Sequence, residues 1–204
     1  MNIKPFNQPA PQLGNQYDTD RVLRSYLRRV VPDALMADSE PALREMGEMA
    51  GGELYKLQLA DRPNLPKLTQ WDAWGERIDH IDVTAIWKRA EHLAAEFGVV
   101  ALAYDRAYGR FARTCQFAMA YLFHPSTDVY TCPLAMSDGA ARTLILSGNE
   151  TLINRAVPHL TSRDPATFWT SGQWMTESTG GSDVGRTETV ACLDAGEEWR
   201  LSGR

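Results

Sequence analysis

The sequence predicts an α+β, multidomain architecture, with an all-α N-terminal domain followed by the first strands of a β domain. Three observations carry that expectation. Apolar residues recur at helical spacing as far as about residue 165. From Thr167 to Met175 the composition then shifts to Thr, Trp and Phe, which suit an extended strand. Finally, Thr187 to Leu193 and Trp199 to Ser202 flank Asp194-Ala195-Gly196, a plausible hairpin turn. The expected divisions are an arm over 1–19, a helical domain over 20–165, and the start of a β domain over 166–204.

The arm is rich in Pro, Asn and Gln and has little to bury. From Asp20 a helix is expected, with Val22, Leu23, Tyr26, Leu27 and Val30 on one face and Pro32 as its stop. Asp38-Ser39 offers a cap before Pro41, a residue tolerated in a first helical turn. Leu43, Met46, Ala50, Leu54 and Leu57 continue at helical spacing, weakened at Gly51-Gly52. Leu59 to Ile81, with Pro63, Pro66, Trp71 and Trp74, reads as a surface excursion, its tryptophans packed on a helix. Asp82 opens the clearest helix, whose stripe is Val83, Ile86, Trp87, Ala90, Leu93, Ala94 and Phe97. A further helix carries Phe111, Phe117, Ala118, Tyr121 and Leu122 and stops before Pro125. Ser137 and Asn149 read as caps of two short helices, with Gly148 between them.

Composition bounds the function. A chain of 204 residues with 44% hydrophobic and 23% charged residues is long enough to bury a core. Its formal net charge of -5 argues against a nucleic-acid surface within this stretch. Cys115, Cys132 and Cys192 are odd in number and widely spaced, which fits reduced structural thiols and neither a disulfide framework nor a zinc site. The longest apolar run, Phe97 to Tyr104, is about half a membrane span. With neither a secretory core nor a transit pattern, a cytoplasmic protein is expected, or an organelle-matrix one in a eukaryote. Trp199 to Arg204 reads as a strand that stops without turn or cap, so a piece of a longer protein is expected.

The chemistry concentrates in Met175-Thr176-Glu177-Ser178-Thr179-Gly180-Gly181-Ser182-Asp183-Val184. Gly180 and Gly181 permit a sharp bend and close approach of backbone to a flat polar ligand. Thr176, Ser178, Thr179 and Ser182 add hydroxyls that donate or accept. Outside any family context such a stretch is most often a polar turn. Glu177 and Asp183 are not assigned as an acid/base pair, because acids beside a glycine-rich bend more often accept backbone N–H bonds and fix its shape. A three-glycine dinucleotide fingerprint is absent, so a Rossmann domain is not supported.

The order Met-Thr-Glu, three variable residues, then Gly-Ser-Asp-Val resembles the flavin-contacting segment of the acyl-CoA dehydrogenase family. Ser178-Thr179-Gly180 replaces the usual Pro-Gly-Ala and is more similar to the AidB-like branch. Asn7-Gln8-Pro9 with Tyr17-Asp18 and Asp20 resembles that branch's arm, and Cys132-Pro133-Leu134-Ala135-Met136 resembles its apolar turn before the flavin strand. The resemblance implies FAD as cofactor and an acyl-CoA thioester as substrate, oxidised at its α and β carbons. It implies cofactor contacts at Met175, Thr176, Glu177, Gly180, Gly181, Ser182, Asp183 and Val184, with Met175 and Thr176 at the ring's polar edge. Gly180, Gly181 and Ser182 would approach the cofactor's phosphates or the thioester side, making Ser182 a substrate contact as well. The family's catalytic base belongs to a C-terminal helical bundle without counterpart in these residues, so no catalytic residue is assigned. The resemblance also admits an electron-transfer flavoprotein as partner and a homotetramer as the whole protein's assembly.

Two other functions compete with dehydrogenation. The AidB-like branch includes a DNA-binding protein, so a flavoprotein protecting DNA during the alkylation response, through a C-terminal region, is the second expectation. An interaction domain that has lost the cofactor is the third. His80, His92, His124 and His159 lack metal-ligand spacing and read as surface or capping residues. Arg21, Arg24, Arg28 and Arg29 read as a solvated helix face.

Overall fold

Asn15 starts the first helix. Its Oδ1 accepts from the backbone N–H groups of Tyr17 and Asp18, the hydrogen-bonding role of an N-cap. The computed structural model describes residues 6–196 and 198–203, so the first five residues of the expected arm, Glu197 and Arg204 lie outside the described residues. The chain forms two compact units, one ending at Ser171 and the other beginning at Gly172.

The first unit is built from α1 (Gln16–Thr19), α2 (Arg21–Val30), α3 (Asp33–Gly51) and α4 (Glu53–Asp61). A hairpin follows, β1 (Lys67–Trp71) with β2 (Arg77–Asp82), and then α5 (Ala85–Glu96), α6 (Ala112–Phe123), α7 (Thr131–Ser147) and α8 (Glu150–Leu160). Leu43, Met46, Ile86, Leu93, Met119, Leu122 and Phe123 form a shared apolar core among α3, α5 and α6. Helical content to this point, followed by small antiparallel strands, is the architecture the sequence predicts.

The arm differs from expectation, because it is docked. Tyr17 is 1% exposed, and its hydroxyl donates to Glu40. Asn15 Nδ2 donates to the Arg44 carbonyl at 2.9 Å. Gly47 and Gly51 lie one turn apart on α3. A Cβ on Gly47 would overlap Asn15 Oδ1 and the Tyr17 backbone, and one on Gly51 would overlap the Gly14 carbonyl. Two missing side chains thus open the channel that the arm occupies.

Other local expectations are corrected by tertiary packing. Asp38-Ser39 caps nothing: α3 starts after Pro32 and runs through Pro41, Ser39 Oγ donates to the Leu35 carbonyl, and Asp38 accepts from the Tyr108 hydroxyl. The helix expected at Asp82 instead starts after Thr84, whose hydroxyl accepts from Trp87 N, while Asp82 ends β2. Ile86 N donates to Asp61 Oδ2 at 2.8 Å, fastening the start of α5 to the end of α4. Ser137 is not a cap either; it is buried inside α7 and donates to the Pro133 carbonyl. Gly148, with φ 68°, closes α7, and Asn149 caps α8 by accepting from Leu152 N. On α2 only Leu27 of the predicted stripe is buried, whereas Val22, Tyr26 and Val30 are exposed.

The surface excursion is a twisted ribbon. Leu68 pairs with Ile81 and Thr69 with His80, an irregularity follows before Trp71, and Asp72 Oδ1 shapes the turn by accepting from Trp74 N and Glu76 N. Trp71 and Trp74 are exposed on it and do not pack on a helix.

Thr167 to Met175 forms no strand. Asp164 starts a turn by accepting from the Thr167 and Phe168 amides, Phe168 is buried in the helical core, and Trp169 stacks on His159 with ring centroids 4.1 Å apart. Phe168 and Trp169 are thus taken up by packing near the end of α8, whereas Trp174 is exposed. In the second unit, β3 (Val190–Leu193) pairs antiparallel with β4 (Trp199–Ser202), matching Val190 to Ser202 and Leu193 to Trp199. The hairpin turn forms as expected around Asp194, whose carboxylate accepts from Gly196 N, Glu198 N and the Arg200 guanidinium.

Candidate functional site

The bend in the second unit is built around Glu177. Its N–H donates to the Gly180 carbonyl at 2.9 Å, and Gly180 N donates back to the Glu177 carbonyl at 3.2 Å, a tight reversal enclosing Ser178 and Thr179. The Glu177 carboxylate then accepts from the backbone amides of Glu188 at 2.7 Å and Thr189 at 3.2 Å. Bonding from Thr189 and the Glu188 amide holds this carboxyl below the usual glutamate range, so it is ionised at neutral pH. Glu177 is therefore a clamp between the bend and the residues entering β3.

Asp183 acts on the other side. Its carboxylate accepts from Gly185 N and caps the short 3₁₀ turn Val184–Arg186. A Cβ on Gly180 would come within 2.9 Å of the Asp183 carbonyl, so the close crossing here requires glycine. At Gly181 a Cβ would meet nothing within 4 Å, leaving open space over its backbone.

Met175, Thr176, Ser182, Asp183 and Val184 are exposed, with Glu177 and Gly180 half-buried. Among the described residues the hydroxyls of Thr176, Ser178, Thr179 and Ser182 make no hydrogen bond within the chain. The acids fix the bend while the hydroxyls point to solvent. Hydroxyl donors beside open glycine backbone can hydrogen-bond a polar ligand, while the two carboxylates are engaged with backbone amides and supply no acid/base pair.

The first unit holds a polar cluster that sequence reasoning missed. The Tyr104 hydroxyl donates to Asp138 Oδ1 at 2.6 Å, Gln116 Nε2 donates to Oδ2 at 3.2 Å, and Arg113 pairs with the same carboxylate. Burial raises the Asp138 pKa, but the bonds from Arg113, Tyr104 and Gln116 outweigh it and leave the carboxyl below its ordinary value. Tyr104 is pushed up to about 12 by burial and by that carboxylate. The available signal was Asp138 standing at i+4 from Leu134 and three before Ala141, a charge within an apolar helical stripe. Beside it, buried Ser137 Oγ accepts from Ser171 N at 2.9 Å and so fixes the last residue of the unit.

The remaining predicted residues are dispersed. His80 pairs with Asp82, His92 with Glu96, His124 with Thr131, and His159 with the Thr167 carbonyl. Among the described residues there is no cluster of His, Cys, Asp and Glu able to hold a metal. Cys115 is buried, Cys132 and Cys192 are exposed, and all three are free. No helix of the described residues is long and apolar enough to cross a membrane.

Comparison with known proteins gives the family of the chain. Residues 7–165 match the family described as the adaptive response protein AidB N-terminal domain. Acyl-CoA dehydrogenase family member 11 of Caenorhabditis elegans is 38% identical over 203 residues, covering 97% of this chain and 33% of that protein. The crystal structure of Caenorhabditis elegans ACDH-11 in complex with C11-CoA superimposes with a TM-score of 0.87 at 38% identity, over 97% of this chain and 34% of that one. The apo form of Bd2924 also gives 0.87, at 45% identity over 92% of this chain and 37% of its own. The chain thus spans about a third of the length of these relatives. It belongs to the AidB N-terminal domain family, within the wider acyl-CoA dehydrogenase family.

Proposed function

We propose that this chain supplies the helical domain and the flavin-contact bend of an FAD-dependent, acyl-CoA dehydrogenase-like protein that introduces an α,β double bond into an acyl-CoA thioester. The observation that carries the reading is the bend itself: carboxylates spent on backbone amides, with unpartnered hydroxyls beside open glycine backbone. The relative solved with C11-CoA supports an acyl thioester as substrate class. Met175 and Thr176 would meet the polar edge of the ring, Gly180 to Val184 the rest of the cofactor, and Ser182 also the thioester side. FAD, when bound, supplies the redox chemistry, and the protein binds and orients it. Each such hydrogen bond contributes only ~1 kcal/mol net, so holding FAD takes many contacts. The division into an arm to residue 19, a helical domain to 165 and a flavin-contact segment from 166 is part of the same proposal.

A second reading is favoured by the family match, which is specific to the AidB branch. In it the flavoprotein protects DNA and oxidises acyl-CoA weakly or not at all. The visible spectrum of the native gene product, followed by anaerobic addition of a medium-chain acyl-CoA, separates the two. Flavin absorbance that bleaches on addition supports dehydrogenation. A flavin spectrum that stays unchanged, with duplex DNA binding that weakens steeply with salt, supports the second reading. A colourless protein that FAD does not reconstitute refutes both.

A further inference from the structure

Ser39 and Ala42 on α3 and Cys115 on α6 are small side chains that line one cavity of the helical unit. Its volume is about 530 Å³, within the ~300–1,000 Å³ range of small-molecule sites. Leu43, Leu102 and Met119 form a buried apolar wall, and Phe97 and Tyr108 add aromatic rings. The hydroxyls on the wall are already committed: Tyr108 donates to Asp38 at 2.7 Å and Ser39 to the Leu35 carbonyl at 2.9 Å. Cys115, 3% exposed, keeps a free thiol with no hydrogen bond among the described residues. A buried thiol behaves as a small hydrophobe with a weak donor, so the part of a ligand that enters is apolar. A sugar or phosphate group there would lose its hydration without replacement.

The charged residues that line the cavity, Glu45, Glu96 and Arg163, are exposed and form its mouth. Arg163 is already offset. Its guanidinium lies over Gly98 so closely that a Cβ there would overlap it, and it stands 3.9 Å from the Asp105 carboxylate. Gly98 follows the C-terminal end of α5, where the helix dipole is negative and favours a cation. Glu96 pairs with His92, and Glu45 forms no ion pair among the described residues. The mouth is therefore left with an excess of negative charge. Phe97 and Tyr108 beside it present ring faces, which attract ammonium groups as well as hydrocarbon.

We propose that this cavity binds a small organic cation, with its hydrocarbon body inside and its ammonium group at the mouth beside Glu45 and Glu96. The site lies within the helical unit, and the inference is independent of the flavin reading. The probe is hexylammonium, titrated against the full chain carrying isotope-labelled methionine methyl groups. Met119 lines the cavity, so its methyl resonance is expected to shift and saturate at millimolar ligand while that of Met136 on α7 stays fixed. The double variant Glu45→Gln/Glu96→Gln is expected to weaken binding about fivefold, the scale of two exposed charge pairs. Hexanoate, with the charge reversed, is expected to bind at least about fivefold more weakly than hexylammonium. Ala42→Phe fills the space and is expected to abolish the Met119 shift, with circular dichroism and melting reporting whether the variant folds. Should it not fold, the exposed acid variants carry the same test. No saturable shift at Met119, or equal binding by the acid variants or of hexanoate, overturns the proposal. So does tighter binding of hexanoate that Arg163→Gln removes, the mark of an anion site.

Discussion

Replacing Asp138 with alanine removes the acceptor on which Tyr104, Gln116 and Arg113 converge. The groups are unequal. The Arg113 side chain is 41% exposed and regains water, while Asp138 is 19% exposed and the Tyr104 hydroxyl is left with only the Asp138 carbonyl, at 2.9 Å. A hydrogen bond to a charged group contributes about 1.5–3 kcal/mol, and overlapping bonds do not add, so about 2–3 kcal/mol is the expected loss. For a chain of this size that corresponds to a fall in Tm of about 4–12 °C. Urea unfolding followed by far-UV circular dichroism reads the helical unit directly. The pH dependence is a second arm. Because the folded-state pKa of Asp138 lies below its unfolded value, its contribution is fully present above about pH 4 and is lost as pH falls through the folded pKa. The wild type therefore loses more stability on acidification than Asp138→Asn does. A loss under about 0.5 kcal/mol for Asp138→Ala, the level of an ordinary surface change, would refute the cluster's structural role.

Three further outcomes follow from other contacts. Gly47→Val drives a side chain into Asn15 and the Tyr17 backbone, with an expected cost of about 1–3 kcal/mol and faster proteolysis near Asn15; an unchanged urea midpoint contradicts the docked arm. Glu177→Ala releases the amides of Glu188 and Thr189, so their hydrogen exchange is expected to accelerate while that of the core helices stays constant; unchanged exchange at those two amides contradicts the clamp. Burial and the charge of Asp38 raise the Cys115 thiol, so native alkylation is expected at Cys132 and Cys192 well before Cys115, a sequence that mass spectrometry resolves and that equal rates would exclude.

Local rules succeeded where one strong signal acted alone. The α5 stripe from Ile86 to Ala94, the Asn149 cap, the Gly148 terminus and the turn at Asp194 all carry short-range chemistry that packing leaves intact. They failed where a distant segment competed. Tyr17 is held by α3 through two glycines about 30 positions away, a relation without local periodicity. Phe168 and Trp169 have strand propensity but pack against the helical core and His159. Ser39 and Ser137 read as caps, yet both fold their hydroxyls back onto carbonyls inside longer helices. In the bend the residue order was legible, and so was the tendency of its acids to hold backbone. That Glu177 reaches residues 188 and 189 depends on the return of the chain toward β3, which no motif encodes.

The central claim is that residues 175–184 contact a flavin. Titrating isotope-labelled protein with FAD to millimolar concentration while following backbone amide resonances tests it most directly, because weak contacts still move nearby signals. The account predicts shifts concentrated at Met175, Thr176 and Gly180 to Val184, with the helical core unmoved. Shifts confined to the helical unit, or none at these seven positions at saturating FAD, would contradict it.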